Sequence, residues 1–234
     1  MLRAYMPWMS LIAVLTLLAA VPVRVMAGTD ENRKAQEATE VLDEIMRIPE
    51  QSIPPSLLDR AQAIAVIPNV VKVGFIVAGR YGQGVLLERD AKTGRWSYPT
   101  FVTITGGSFG FQIGAQATDV VLVFRSRKSV DGIVNGKFTL GADASVAAGP
   151  VGRRAEAATD QYLKAEIYSY SRSRGLFAGV SLEGSALQID DKANAAFYDK
   201  PGITAATILS SSNLKAPAEA TALRQTLSKY AKAQ

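Results

Sequence analysis

In its 234 residues the chain has neither cysteine nor histidine. Without cysteine there is no disulfide and no acylated lipoprotein cysteine. Without either residue, the thiolate and imidazole ligands of most transition-metal sites are missing, so no metal and no cofactor is expected. The missing imidazole also removes the base that a serine nucleophile of the hydrolase class requires. Gly106-Gly107-Ser108-Phe109-Gly110 fits the pattern G-x-S-x-G, but it has no such partner and reads as strand on both sides rather than strand then helix. No catalytic residue is nominated, and the chain is read as a non-enzyme. An excess of one charge is lacking too, with 26 basic residues against 21 acidic ones. Nucleic-acid binding concentrates far more positive charge on one face and is disfavoured. Finally, the apolar run Leu11–Val21 is short of the ~20 residues that span a bilayer.

That run has the layout of a secretory signal, with Arg3 ahead of it and Val25-Met26-Ala27 behind it. Residues 1–27 are therefore expected to be removed, leaving a periplasmic or secreted protein. The remaining Gly28–Gln234 is 207 residues with net charge +3, since Arg3 and Arg24 go and no acid does. This length suits one domain with a self-sufficient core.

Apolar residues at three- and four-residue spacing predict a helix over Glu31–Ile48, ended by Pro49, within an N-terminal amphipathic segment 28–52. Its polar face is acidic on balance, a poor match to an anionic bilayer. Pro54-Pro55-Ser56 predicts a short second helix, and Ile64 the first strand. Further expectations are a hairpin turning at Asp90–Gly94, a buried strand at Val120–Phe124 and a helix over Ser126–Ile133. Alternation resumes over Phe138–Ala148. A helix around Asp191–Tyr198 would be capped by Asp190 or Asp191, and Pro217–Lys232 closes the chain as a helix. The adjacent carboxylates Asp190, Asp191 and Glu183 lack calcium-loop spacing. Gly132–Lys137 and Gly79–Gly84 echo phosphate loops only weakly and read as turns.

Three glycine-dosed stretches, Val73–Gly84, Thr103–Gln116 and Leu176–Gly184, read as strands that have given up side-chain volume. Glycine persists in a strand where a bulge forms or where another backbone comes close. In Gly107–Gln116, Phe109, Phe111, Ile113 and Ala115 alternate with small or polar residues. The class expected is α+β: a single domain, 53–234, with a mostly antiparallel β-sheet core, sandwich or barrel-like, and peripheral helices.

The segments IAVIPNVVKVGFIVAGRYGQG (Ile64–Gly84), GGSFGFQIGAQA (Gly106–Ala117) and YSRSRGLFAGVSLEGSAL (Tyr170–Leu187) resemble, in that order, the SYLF lipid-binding domain. The resemblance runs from about Ile53 to about Leu209. It implies binding of phosphoinositides and other anionic phospholipids, and kinship with the domain of fungal actin-patch proteins. Bacterial members stand alone, and the resemblance implies that this chain is of that bare kind.

Three basic groups are the candidate lipid-binding residues: Arg125, Arg127 and Lys128; Arg153 and Arg154; Arg172 and Arg174. All follow or precede strands, where loops gather. A basic side chain near an anionic surface is worth about 1 kcal/mol, and arginine's planar fork suits phosphate. The function expected is an exported, peripherally membrane-associated module that recognises anionic headgroups, phosphoinositide-like or phosphatidylglycerol and cardiolipin. The alternative is a non-enzymatic envelope scaffold with a protein partner.

Overall fold

The computed structural model describes residues 28–47, 52–74, 77–109, 114–151, 164–173, 176–177 and 181–231. The expected signal peptide lies outside them. Ala35, Ala38, Val41, Leu42 and Ile45 form the buried stripe of helix α1 (Thr29–Met46). Gly28 precedes it at φ 99°, where a side chain would be strained. Pro55 opens α2 (Pro55–Asp59), in keeping with its fixed φ.

The strands are β1 (Ala63–Gly74), β2 (Val77–Glu88), β3 (Thr100–Phe109), β4 (Gly114–Phe124), β5 (Phe138–Thr139), β6 (Val146–Ala148), β7 (Ile167–Ser173), β8 (Leu176–Phe177) and β9 (Ala186–Ile189). They form one curled sheet in the order β5-β9-β3-β2-β1-β4-β7-β6, with β8 paired to β7. Only the β6–β7 pairing is parallel among the described strands. In β3-β2-β1-β4, three successive strands pair as neighbours and the fourth returns beside the first, a Greek key. The remaining helices are α3 (Arg127–Val134), α4 (Asp191–Phe197), α5 (Ala205–Ser210) and α6 (Ala218–Ala231). This is the α+β class read from the sequence.

Central strand β1 carries Pro68, which cannot donate to a ladder. The sheet accommodates it with a bulge: β1 uses one residue more than β2 between Val66 and Val71, and one more than β4 between Ile67 and Val70. Asn69 takes the left-handed backbone at φ 52°, and its N–H donates to Asp119 Oδ1 at 3.0 Å.

Both faces of the sheet are covered at the end marked by Ala63, Glu88 and Phe124. On one face α1, α2, α4 and α6 pack over Ile64, Val66, Val85, Leu87, Val121 and Val123. On the other, Val130 and Ile133 of α3, with Phe138, Leu140 and Leu187, cover Ala65, Ile67, Val102, Ile104, Val120 and Leu122. Each Leu or Ile so buried contributes about 1.5–3 kcal/mol relative to exposure. Beyond the bulge the helix-covered face runs bare. Val71 and Tyr81, which pair across β1 and β2, are 41% and 55% exposed, and Val73 is 56% exposed.

Several sequence expectations need correction. Thr103–Gln116 is not one strand: its ends belong to β3 and β4, which are separated in the sheet by β2 and β1. Val73–Gly84 likewise joins the end of β1 to β2, and Gly79–Gly84 is strand rather than turn. Of Leu176–Gly184 only Leu176–Phe177 is strand among the described residues, and Phe138–Ala148 holds two short strands. Helix α5 is additional. Its six residues are too few to show a period, although Thr204 caps it by accepting from Thr207 N.

Candidate functional site

Arg125, Arg127 and Lys128 stand where β4 leaves the sheet and α3 begins. Arg127 pairs with Glu88 Oε1 at 3.0 Å and donates to the Arg89 carbonyl at 2.8 Å. Burial pushes the Glu88 carboxyl up from its ordinary value, and Arg127 offsets this only in part. Arg125 is half-buried, with its backbone N–H donating to the Glu166 carbonyl, while Lys128 is exposed. Arg172 is elsewhere. It sits opposite Asp119, five positions along β4 from Phe124, roughly 17 Å at ~3.4 Å per residue. Its guanidinium is paired with Glu44 of α1 and is largely covered. Arg153, Arg154 and Arg174 lie outside the described residues.

The same end of the sheet carries a feature that the sequence did not reveal. A cleft of about 600 Å³ opens between the β2–β3 connection and α6. Four of its lining side chains, Arg89, Arg95, Arg224 and Lys229, are cationic, and none of the described lining residues is acidic. The Arg89 guanidinium lies 4.8 Å from the centre of the Trp96 ring, and that of Arg224 lies 4.1 Å from Tyr98. Arg89 also donates to the Asp59 carbonyl, and the Asp59 carboxylate is 3.6 Å away. Among the described residues no carboxylate is within ion-pair distance of Arg95, Arg224 or Lys229.

Local chemistry explains the shape of the wall. Arg89 and Trp96 form a β-bridge that closes the hairpin. In its turn, Asp90 Oδ1 accepts from the backbone N–H of Thr93 at 2.7 Å, from the Thr93 hydroxyl at 2.8 Å and from Lys92 N at 3.0 Å. The bonds from Thr93, the backbone one first, hold the Asp90 carboxyl below its ordinary value. On α6, Ala220, Leu223 and Leu227 are buried, which turns Gln225 and Lys229 outward and leaves Arg224 half-buried at the cleft. Arg89 and Arg95 are neighbours across a turn, a pairing readable in the sequence. Their meeting with Arg224 and Lys229 is tertiary.

The other motifs resolve locally. Ser108 lies inside β3 opposite Ala78, not at a strand-to-helix turn. Asp190 caps α4, accepting from Ala193 N at 3.0 Å, and its second oxygen accepts from Gln83 Nε2 at 2.9 Å. Among the described residues there is no group of three or more carboxylates that could hold a metal ion. No described helix is long and apolar enough to cross a membrane.

A profile of the Ysc84 family, described as Las17-binding protein actin regulator, matches residues 105–230. SH3 domain-containing YSC84-like protein 1 of Xenopus laevis is 38% identical over 182 residues, which cover 75% of this chain and 54% of that protein. LAS seventeen-binding protein 3 of Saccharomyces cerevisiae is 42% identical over 164 residues, 69% of this chain and 35% of its own length. The chain thus spans from about a third to about half of the length of these relatives. Protein YSC84 of the same yeast is 43% identical over 152 residues, 64% of this chain and 32% of its own. The profile takes in more than half of the sequence, and relatives of 38% and 42% identity cover more than two thirds of it, so the chain belongs to the Ysc84 family.

Proposed function

We propose that the protein is an exported, non-enzymatic module that binds phospholipid membranes by their anionic headgroups. The observation that supports this reading is the gathering of cations at one end of the sheet. Arg125, Arg127 and Lys128 stand on one side of the β2 terminus, and the cleft with Arg95, Arg224 and Lys229 on the other. Glu88 offsets Arg127 and Asp59 offsets Arg89, and the rest raise the local potential above what the net +3 of Gly28–Gln234 suggests. Each cation near an anionic surface adds about 1 kcal/mol before screening. The test is flotation of the protein with phosphatidylglycerol–cardiolipin vesicles or phosphatidylcholine vesicles at low and high salt. Binding to the anionic vesicles alone, weakened by salt, is expected; absence of binding to any vesicle would overturn the reading.

A second reading, a scaffold with a protein partner, is favoured by a different observation. Val71, Val73 and Tyr81 are exposed at the opposite end of the sheet, an apolar strip of the kind that partners cover. The yeast relative is named for a protein that it binds. A stable protein partner lost on Tyr81→Ser, together with no affinity for vesicles, would favour this reading.

A further inference from the structure

We infer that the cleft between the β2–β3 connection and α6 is a binding site for a compact, multiply charged phosphoryl anion. This rests on the headgroup reading above but names the site, and none of its cations was among the residues that the sequence nominated. Arg89 and Arg95 approach from the hairpin, and Arg224 and Lys229 from α6, so that four positive side chains converge on about 600 Å³ with no acid among the described lining residues. Asp59 offsets one of these four charges, and the remaining three repel one another until an anion completes the set.

The ligand class follows from the donors. The Arg89 and Arg224 guanidiniums rest over the Trp96 and Tyr98 rings, and a guanidinium fork matches the tetrahedral oxygens of phosphate. Asp59 already engages one side of Arg89, whereas Arg95, Arg224 and Lys229 have no such partner among the described residues. A single carboxylate would leave most of this charge uncompensated. The hydroxyl of Ser228 and the amide of Gln225 add polar lining on the same helix face. The phosphoryl group can belong to a lipid headgroup or to a free polyphosphate.

Trp96 lines the cleft, and Trp8 is the other of the two tryptophans in the chain. In full-length protein carrying Trp8→Phe, the fluorescence of Trp96 therefore reports on the site. Inositol hexakisphosphate is expected to give a saturable, salt-sensitive change, and glutamate at the same concentration none. Arg95→Gln with Lys229→Gln, both exposed positions, should weaken it about tenfold or more with an unchanged thermal melt. Arg224→Lys keeps the charge but loses the fork and should weaken it by less. No saturable change, or wild-type affinity in the double variant, would overturn the inference. Vesicle flotation identifies the source. If anionic vesicles float the wild type but not the double variant, the site takes a headgroup. If only the soluble anion binds, the cleft stands and the membrane reading fails. If vesicles float both proteins equally and inositol hexakisphosphate gives no signal, the membrane reading stands and the cleft inference falls.

Discussion

Gly84 sits where β2 passes the β1 bulge. A methyl group there would come within 2.2 Å of the Val66 carbonyl oxygen and 2.6 Å of Ile67 Cα. Both are backbone of a central strand and cannot swing aside, so Gly84→Ala is expected to lower stability by at least about 2 kcal/mol. Gly79→Ala, in the same strand but with nothing within 4 Å, should cost under about 1 kcal/mol. Urea unfolding midpoints of the two variants check the contrast, and equal losses would show that the close approach at Gly84 is not what constrains it. Glycine enrichment was legible in the sequence, but which glycine is pinned was not, because the contact crosses to another strand at an irregular register. Glu88 carries a prediction of a different kind. Burial holds its carboxyl above the ordinary value despite Arg127 at 3.0 Å, so the folded state binds that proton more tightly than the unfolded chain does. Its contribution to stability is fully present below the ordinary glutamate pKa and is lost as pH rises through the raised one. Glu88→Gln should remove that loss from a stability profile taken between about pH 4 and pH 7; an unchanged slope would assign it to another group.

Elements whose signals are local were legible, and those that depend on partners were not. The Asp190 cap is a local signal: its side chain accepts from Ala193 N, three residues on, and needs nothing else to form. Asp190→Ala should cost about 1 kcal/mol, whereas Asp190→Asn, which keeps an acceptor, should cost much less. Thermal melts of the pair test this. A loss equal in both would mean that the charge, or the bond from Gln83 to the second carboxylate oxygen, matters and the capping acceptor does not. The alternation in Gly107–Gln116 misled for the opposite reason. Period two is the same on either side of a strand boundary, so the pattern alone cannot show that Phe109 belongs to β3 and Ala115 to β4. β3 pairs with β2 and β4 with β1, so the two residues sit on strands that are not neighbours in the sheet. The same limit hid the cleft. Arg125, Arg127 and Lys128 form a cluster visible along the chain, but Arg89 and Arg224 are brought together only when α6 packs against the sheet.

At the scale of the whole molecule the sheet has two unlike ends. Cations collect around Glu88 and Trp96, and the exposed apolar strip of Val71, Val73 and Tyr81 lies past the bulge. Tyr81 and Glu88 are seven positions apart on β2, about 24 Å at ~3.4 Å per residue. That is about three Debye lengths at physiological salt, so charge at one end is not felt at the other. Which end faces a membrane can therefore be tested by substitution. If headgroup recognition governs membrane binding, Lys128→Glu should weaken flotation with anionic vesicles several-fold at low salt, since it replaces attraction with repulsion at an exposed position. Tyr81→Ser should leave both the affinity and its salt dependence unchanged. If instead the apolar end enters the bilayer, Tyr81→Ser is the damaging change and added salt has little effect on the wild type. The salt slope and the pair of variants thus assign the membrane-facing end independently of one another, and disagreement between them would mean that both ends take part.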